Sequence, residues 1–220
     1  MMTDRRIARR LAKRAVSEGQ PLRWFEQLYA AARDGEVAVP WANLEVNPLL
    51  KSWKLLDPNL MRRTLVVGCG YGDDAEWLAD RGCQVTGFDI SQAAVEHCRV
   101  RFPTSLVRYV VANLLDPPTE WLDTPFDLVV EAYTIQALPP ASGERRAAMK
   151  MLPNLTQGTL LVIARGREDN EDEGVMPWPL RRSEFDPLYL HGMQEDLFED
   201  YLDLEDPPIR RFRATFSQRS

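Results

Sequence analysis

The stretch Thr64-Leu65-Val66-Val67-Gly68-Cys69-Gly70-Tyr71-Gly72-Asp73-Asp74 decides how the rest of this 220-residue chain is read. An apolar run enters a cluster of glycines, and a pair of aspartates follows. The run predicts a buried strand over Thr64–Val67, and the glycines predict a sharp turn into a helix over Asp74–Asp80. Such turns bring backbone close to a ligand, because glycine has no Cβ and reaches positive φ. A pyrophosphate at this position needs bare N–H groups at the helix start. Asp73 and Asp74 stand there instead; the helix dipole favours them, and they repel a phosphate.

Outward from the turn, strand and helix patterns alternate. Strands are predicted over Gln84–Phe88, Val107–Val111, Phe126–Val130 and Thr159–Ala164. Gly82 stops the first helix. Ser91 caps a second that runs to Arg101 with Ala94, Val95 and Cys98 on its buried face, and a third lies around Glu144–Met151. This order predicts a parallel sheet with helices on both faces. Two late extended segments, Leu197–Leu202 and Ile209–Phe216, flank Pro207-Pro208 and predict an antiparallel pair. Residues 1–60 carry helix patterns and a proline-broken loop without a strand signal.

Lys+Arg total 27 against 33 Asp+Glu, a net charge of −6, which argues against general binding to a nucleic-acid backbone. The longest purely apolar run, Leu160–Ala164, is far too short to cross a bilayer, so no membrane insertion is expected. Cys69, Cys83 and Cys98 form no CxxC pair and read as reduced thiols of a cytoplasmic protein. The two histidines, His97 and His191, are far apart, and no metal site is expected. The chain starts with Arg5, Arg6, Arg9, Arg10, Lys13 and Arg14, while Ile7, Leu11 and Ala15 share one side of the same helix. A solvated covering helix is the plainer reading; a membrane- or RNA-touching face or a targeting peptide is the alternative. The acidic run 167–174 lacks the bidentate Glu of a calcium loop, since Leu180 holds its twelfth place. It reads as a solvated surface loop.

Residues at the strand tips carry the chemistry. Asp89, followed by Ile90, ends the second strand, where a carboxylate accepts hydrogen bonds from both hydroxyls of a ribose. That serves NAD and S-adenosylmethionine alike. Asn113 and Leu114 end the third strand, where an amide reaches adenine and an aliphatic side chain covers its ring; a simple turn residue is the other reading of Asn113. Glu131 and Tyr133 end the fourth strand, at the edge where a ligand's reactive end sits in open α/β sheets. The third glycine comes one place too early for the dinucleotide pattern GxGxxG. S-adenosylmethionine fits the acidic turn better, having an ammonium, a sulfonium and no phosphate.

The runs TLVVGCGYGDDAEWLADRGCQVTGFDIS, YVVANLLDPP and FDLVVEAYTIQALP resemble a class I S-adenosylmethionine-dependent methyltransferase. Val39-Pro40-Trp41 with Pro48, and Met176-Pro177-Trp178-Pro179, resemble segments of its thiopurine and halide/thiol methyltransferase branch. The resemblance covers about residues 20–217. The sequence departs from the family at Val66, where many members have an acid, at Ala42, and at Asn113, where an Asp is usual; Val175-Met176 replaces a Gly-Pro pair.

The fold implied is α/β: a Rossmann-like, doubly wound, mostly parallel seven-stranded sheet with an antiparallel C-terminal hairpin and an N-terminal helical lid. Residues 1–60 are expected as the lid segment and 61–220 as the methyltransferase domain. The resemblance implies cofactor contacts from Trp41, Gly68, Gly70, Gly72, Asp73, Asp89, Ile90, Asn113, Leu114 and Glu131. Trp41 is placed over the sulfonium, as a cation on an aromatic face. Glu131 is read as a positioner of the cofactor's ammonium or a base, and Tyr133 as the group that orients or deprotonates the nucleophile. Gln136, Arg165 and Trp178 are acceptor-pocket candidates, as is Trp24, where core packing competes. His191 is a further candidate base. The branch implies a small-molecule acceptor with a soft nucleophile: a thiol, a thiopurine or a halide. The Asn/Asp-Pro-Pro-aromatic sequence of amino-group nucleic-acid methyltransferases is missing after the fourth strand. A non-catalytic S-adenosylmethionine-binding or RNA-associated module and a nicotinamide-dependent oxidoreductase are the competing readings. The sequence leaves monomer and dimer open.

Overall fold

The computed structural model describes residues 4–54 and 62–218, so the expected boundary between 60 and 61 lies outside the described residues. The elements in chain order begin with helices α1 (Asp4–Ser17), α2 (Arg23–Arg33) and α3 (Pro48–Lys51). The alternating part follows: β1 (Arg63–Val67), α4 (Asp73–Ala79), β2 (Gln84–Asp89), α5 (Gln92–Arg101), β3 (Arg108–Val111), α6 (Thr119–Asp123), β4 (Phe126–Ala132), α7 (Gly143–Leu155) and β5 (Thr156–Arg165). A short helix α8 (Asp186–Leu190) then leads into β6 (Met193–Leu202) and β7 (Arg210–Gln218).

The seven strands form one sheet in the order β3-β2-β1-β4-β5-β7-β6. The pairs β1–β2, β2–β3, β1–β4 and β4–β5 are parallel. β7 enters antiparallel between β5 and the edge strand β6. This is the expected doubly wound sheet with its C-terminal hairpin. The chain runs outward from β1 to β3 and returns to β4, so the strand order reverses between β1 and β4. A crevice opens at the carboxyl ends of strands where that reversal occurs.

Each central strand is buried on both faces, as a helix-covered parallel sheet requires. Leu65, Val67, Val129, Leu160 and Val162 pack with Trp121 of α6, Met149 and Leu152 of α7, and Leu188 of α8. Val66, Val130, Leu161 and Ile163 pack on the other face with Leu50 of α3, Leu78 of α4, and Val95 and Cys98 of α5. Ser91 Oγ accepts the Ala94 N–H, the predicted cap. α7 extends past the predicted end at Met151 to Leu155, with Pro153 inside the helix. α6 and α8, of five residues each, had no readable period.

The N-terminal helices are tied to the crevice by specific bonds. Glu26 of α2 accepts from Ser91 Oγ at 2.7 Å and from the Ala93 N–H at 3.2 Å, so a carboxylate from the lid sits at the start of α5. Arg9 of α1 donates to the Met176 carbonyl at 2.8 Å. Thus one arginine of the basic first helix clamps the loop beside the crevice. Ala8, Ala12 and Ala15 pack against Trp24 and Leu28. No helix of the described residues is long and apolar enough to cross a membrane.

Candidate functional site

The first turn is held open by side chains packed beneath it. Gly68 has φ +60°, and a Cβ built there lies 2.2 Å from Thr134 Oγ1. That hydroxyl donates to the Val67 carbonyl, which fixes it under the turn. Gly70 and Gly72 abut the hydroxyls of Tyr29 and Tyr109 in the same way. The glycines therefore answer first to close packing within the protein.

A cavity of about 510 Å³ opens above this turn, within the usual range for small-molecule and cofactor sites. Of the residues expected at the cofactor, Gly68, Gly70, Asp73, Asp89, Ile90, Asn113, Leu114 and Trp41 line it, together with Tyr133. The lid contributes Leu22, Phe25, Tyr29 and residues 41–43 and 45–48. Among the described residues its charged lining is Glu45, Asp73, Asp74 and Asp89 against the single cation Lys51.

Asp89 is held in a defined orientation. Its Oδ2 accepts the Gly70 N–H at 3.0 Å and its Oδ1 accepts the Ser91 N–H at 2.9 Å. Burial pushes its pKa up to about 6, against those N–H groups, which favour the charged form. Asp74 accepts the Asn47 N–H at 2.7 Å and so latches the lid loop to the start of α4; burial raises it also to about 6. Asp73 lines the cavity but is paired with Arg101 through two bonds of 2.6 and 2.8 Å. Its charge is therefore already balanced, a correction to the expectation that it meets a ligand cation. Asn113 Oδ1 accepts the Leu115 N–H, as a turn residue does, while its side chain still lines the cavity.

Trp41 is 43% exposed, lines the cavity and donates from Nε1 to Tyr29 Oη at 3.2 Å. Tyr133 sits in the left-handed region at φ +65°, a costly conformation for an aromatic residue. Arg211 Nη1 donates to its phenol oxygen at 3.3 Å. Burial raises the phenol's pKa, and Arg211 pulls it back down.

Several expected site residues lie elsewhere. Glu131 is fully buried and does not line the cavity. Its Oε1 accepts the Thr134 and Ile135 N–H groups at 2.7 and 2.9 Å, and its Oε2 has no partner among the described residues. Burial pushes it up to about 7. It supports the turn that carries Thr134 and reaches no ligand, so neither the base nor the ammonium role fits. Trp24 is 0% exposed and belongs to the core between α1 and α2, because Phe25 takes the cavity-facing place on that helix. Gly72 caps α4 outside the lining. Gln136 lines the cavity, but its Oε1 accepts the Arg165 N–H at 2.7 Å. Arg165 and Trp178 do not line it, whereas Met176 and Pro177 do. His191 is turned to the Pro187 carbonyl at 2.7 Å and is not in the lining. Tyr29 and Glu45 were missed; the helical spacing of Phe25 and Tyr29 was the available signal for the first.

An open α/β sheet with an acidic, aromatic-roofed crevice at its reversal point defines an enzyme that takes a cationic nucleoside. A carboxylate at the β2 tip, apolar Ile90 and Leu114 beside it, and a carboxylate-rich lining fit S-adenosylmethionine. Residues 65–156 match the family model described as a methyltransferase domain. A thiopurine S-methyltransferase of Pseudomonas fluorescens is 48% identical over 153 residues, covering 62% of this chain and 67% of that protein. One of Aliivibrio fischeri is 26% identical over 187 residues, covering 79% and 87%. An S-adenosylmethionine-dependent methyltransferase structure from Anabaena variabilis shares the fold, with a TM-score of 0.68 at 18% identity, covering 89% of this chain and 93% of that one. The chain belongs to the class I S-adenosylmethionine-dependent methyltransferases, in the thiopurine methyltransferase branch.

Proposed function

We propose that the chain methylates a small-molecule acceptor at a soft nucleophilic atom, a thiol, a thiopurine sulfur or a halide. The observation that carries this reading is the continuity of one covered cavity from Asp89 and Asn113 to Tyr133, Met176 and Pro177. A small molecule fits in that cavity beside the donor. The matched thiopurine S-methyltransferases point to sulfur as the accepting atom.

When bound, S-adenosylmethionine supplies an electrophilic methyl group on a cationic sulfur. Asp89, whose orientation is set by Gly70 and Ser91, would hold the ribose hydroxyls. Ile90, Leu114 and Asn113, which line the cavity beside Asp89, would hold the adenine. Asp74 and Glu45 give the ammonium end a negative surround. Trp41 and Tyr133, both in the lining, would cover the sulfonium and exclude water; the attraction of an aromatic face for a cation would contribute about 0.5–2 kcal/mol. Catalysis is then mainly alignment, and a thiol ionised at neutral pH needs no strong base. In this reading residues 1–60 serve as the lid segment and 61–220 as the methyltransferase domain.

A panel of thiols, halides, phenols and amines with isotope-labelled methyl donor tests the reading. Label transfer to thiols or halides ahead of phenols and amines is expected. Transfer to amines alone overturns the soft-nucleophile assignment.

A further inference from the structure

The two oxygens of Asp89 accept the N–H groups of Gly70 and Ser91, and helix α2 of the lid touches both of those donor residues. Leu22, Phe25, Glu26 and Tyr29 are spaced three and four apart, so they share one side of α2 and its cap. Leu22, Phe25 and Tyr29 line the cavity, and Glu26 does not. Its Oε2 instead accepts the Ser91 hydroxyl at 2.7 Å and the Ala93 N–H at 3.2 Å. On the other side the Tyr29 hydroxyl lies 3.0 Å from where a Cβ on Gly70 would stand. One face of the lid helix thus reaches the ribose acceptor twice, through Ser91 on one oxygen and through Gly70 on the other.

Glu26 and Asp89 are two carboxylates bonded to the same residue, Ser91. The start of the ten-residue helix α5 favours negative charge and offsets part of their repulsion. The rest falls on Asp89. Burial raises its proton affinity, the charge of Glu26 adds to that, and the N–H groups of Ser91, Gly70 and Ile90 oppose it. Tyr29 of α2 and Cys69 of the glycine turn also face Asp89. Burial of the phenol, and the Cys98 thiol together with burial for Cys69, keep both protonated. A neutral acceptor at position 26 would satisfy the same two donors, so the charge itself is what sets Glu26 apart from a simple cap.

We propose that Glu26 is a positioning residue for the methyl donor, coupling the seating of lid helix α2 through Ser91 to the ribose acceptor Asp89. This rests on the methyltransferase reading and extends it to a residue outside the cavity wall. The coupling is reciprocal. A seated α2 fixes Ser91 and with it the Asp89 oxygen that Ser91 holds. A ribose bonded to Asp89 in turn favours the seated lid, with Leu22, Phe25 and Tyr29 over the cavity. A change at Glu26 therefore reaches the donor only by way of Asp89 and α2.

The test is calorimetry of S-adenosylhomocysteine binding to the full chain between about pH 5 and about pH 8, for the wild type, Glu26→Gln and Glu26→Ala. Wild-type affinity is expected to fall as pH drops through about 6, where Asp89 takes up a proton; Asp74 adds to that fall in all three proteins. Glutamine keeps an oxygen for Ser91 and Ala93 and removes the charge, so its affinity curve moves to lower pH by about one unit. Alanine also releases the contact with α5 and weakens binding at about pH 8 roughly tenfold. A residue that only holds the fold together scales affinity by one factor at every pH. A Glu26→Gln curve with the wild-type midpoint overturns the proposal, and so does wild-type affinity of Glu26→Ala at about pH 8. Should Glu26→Ala fail to fold, Glu26→Gln decides. If the wild type binds S-adenosylhomocysteine and the variants follow it at every pH, this inference alone falls. If the wild type does not bind it, the methyltransferase reading falls and takes this one with it.

Discussion

Glu131→Gln separates a structural acid from a catalytic one. In the folded chain Oε1 satisfies the Thr134 and Ile135 N–H groups, and Oε2 is buried without a partner among the described residues. Glutamine keeps the accepting oxygen and replaces the orphaned one with an uncharged amide. Burial moves the Glu131 carboxyl from an ordinary 4.5 to about 7. That difference makes its charged form about 3 kcal/mol less favourable in the folded chain than in the unfolded one. The sign follows from proton binding: between these values the folded state holds a proton that the unfolded state has lost. The contribution of Glu131 to stability is fully present below about pH 4.5 and is lost as pH rises through about 7. Asp74 and Asp89 add a slope of the same sign at lower pH, and it is common to both proteins. Urea unfolding at about pH 4.5 and about pH 8.5 should therefore show the variant gaining about 3 kcal/mol relative to wild type. Methyl transfer at neutral pH should be retained. An unchanged pH slope would refute the burial argument. Lost turnover in a folded variant would return Glu131 to the reacting centre.

Two further substitutions probe the turn and the roof. Gly68→Ala meets Thr134 Oγ1 at 2.2 Å and a φ of +60°, so thermal unfolding should show a loss of about 3 kcal/mol; a wild-type melting temperature would contradict the close packing. Trp41→Ala removes a half-exposed side chain bonded to Tyr29, so stability should fall by only about 1 kcal/mol while turnover falls severalfold. Wild-type turnover would remove Trp41 from the site.

The sheet was legible because its signals are local. The apolar run before Gly68, the glycine at position 82 and the Ser91 cap each act within a few residues, and the alternation of periods fixes a parallel sheet. Asp89, Asn113 and Leu114 were legible for the same reason, since a strand tip in this topology has one place to be. What escaped depends on contacts across long separations. Glu131 points into the turn after its own strand, and the left-handed Tyr133 that makes this happen has no sequence signature. Asp73 was read as a free charge because its partner Arg101 comes 28 residues later. The juxtaposition of Arg165 and Arg211 follows from the β5–β7 register, which no local pattern encodes. Trp24 takes the core place that competed with its acceptor reading, and Phe25 beside it lines the cavity, because a single helical position decides which aromatic faces the cavity.

The central claim is that this crevice receives a cationic sulfur nucleoside and rejects a pyrophosphate. Calorimetric titration of the full chain with S-adenosylmethionine and with NADH, under one buffer and salt condition, measures it directly. The account predicts saturable one-site binding of S-adenosylmethionine, weakened strongly by Asp89→Ala, and no measurable binding of NADH. Tight binding of NADH, or S-adenosylmethionine affinity untouched by Asp89→Ala, would contradict it.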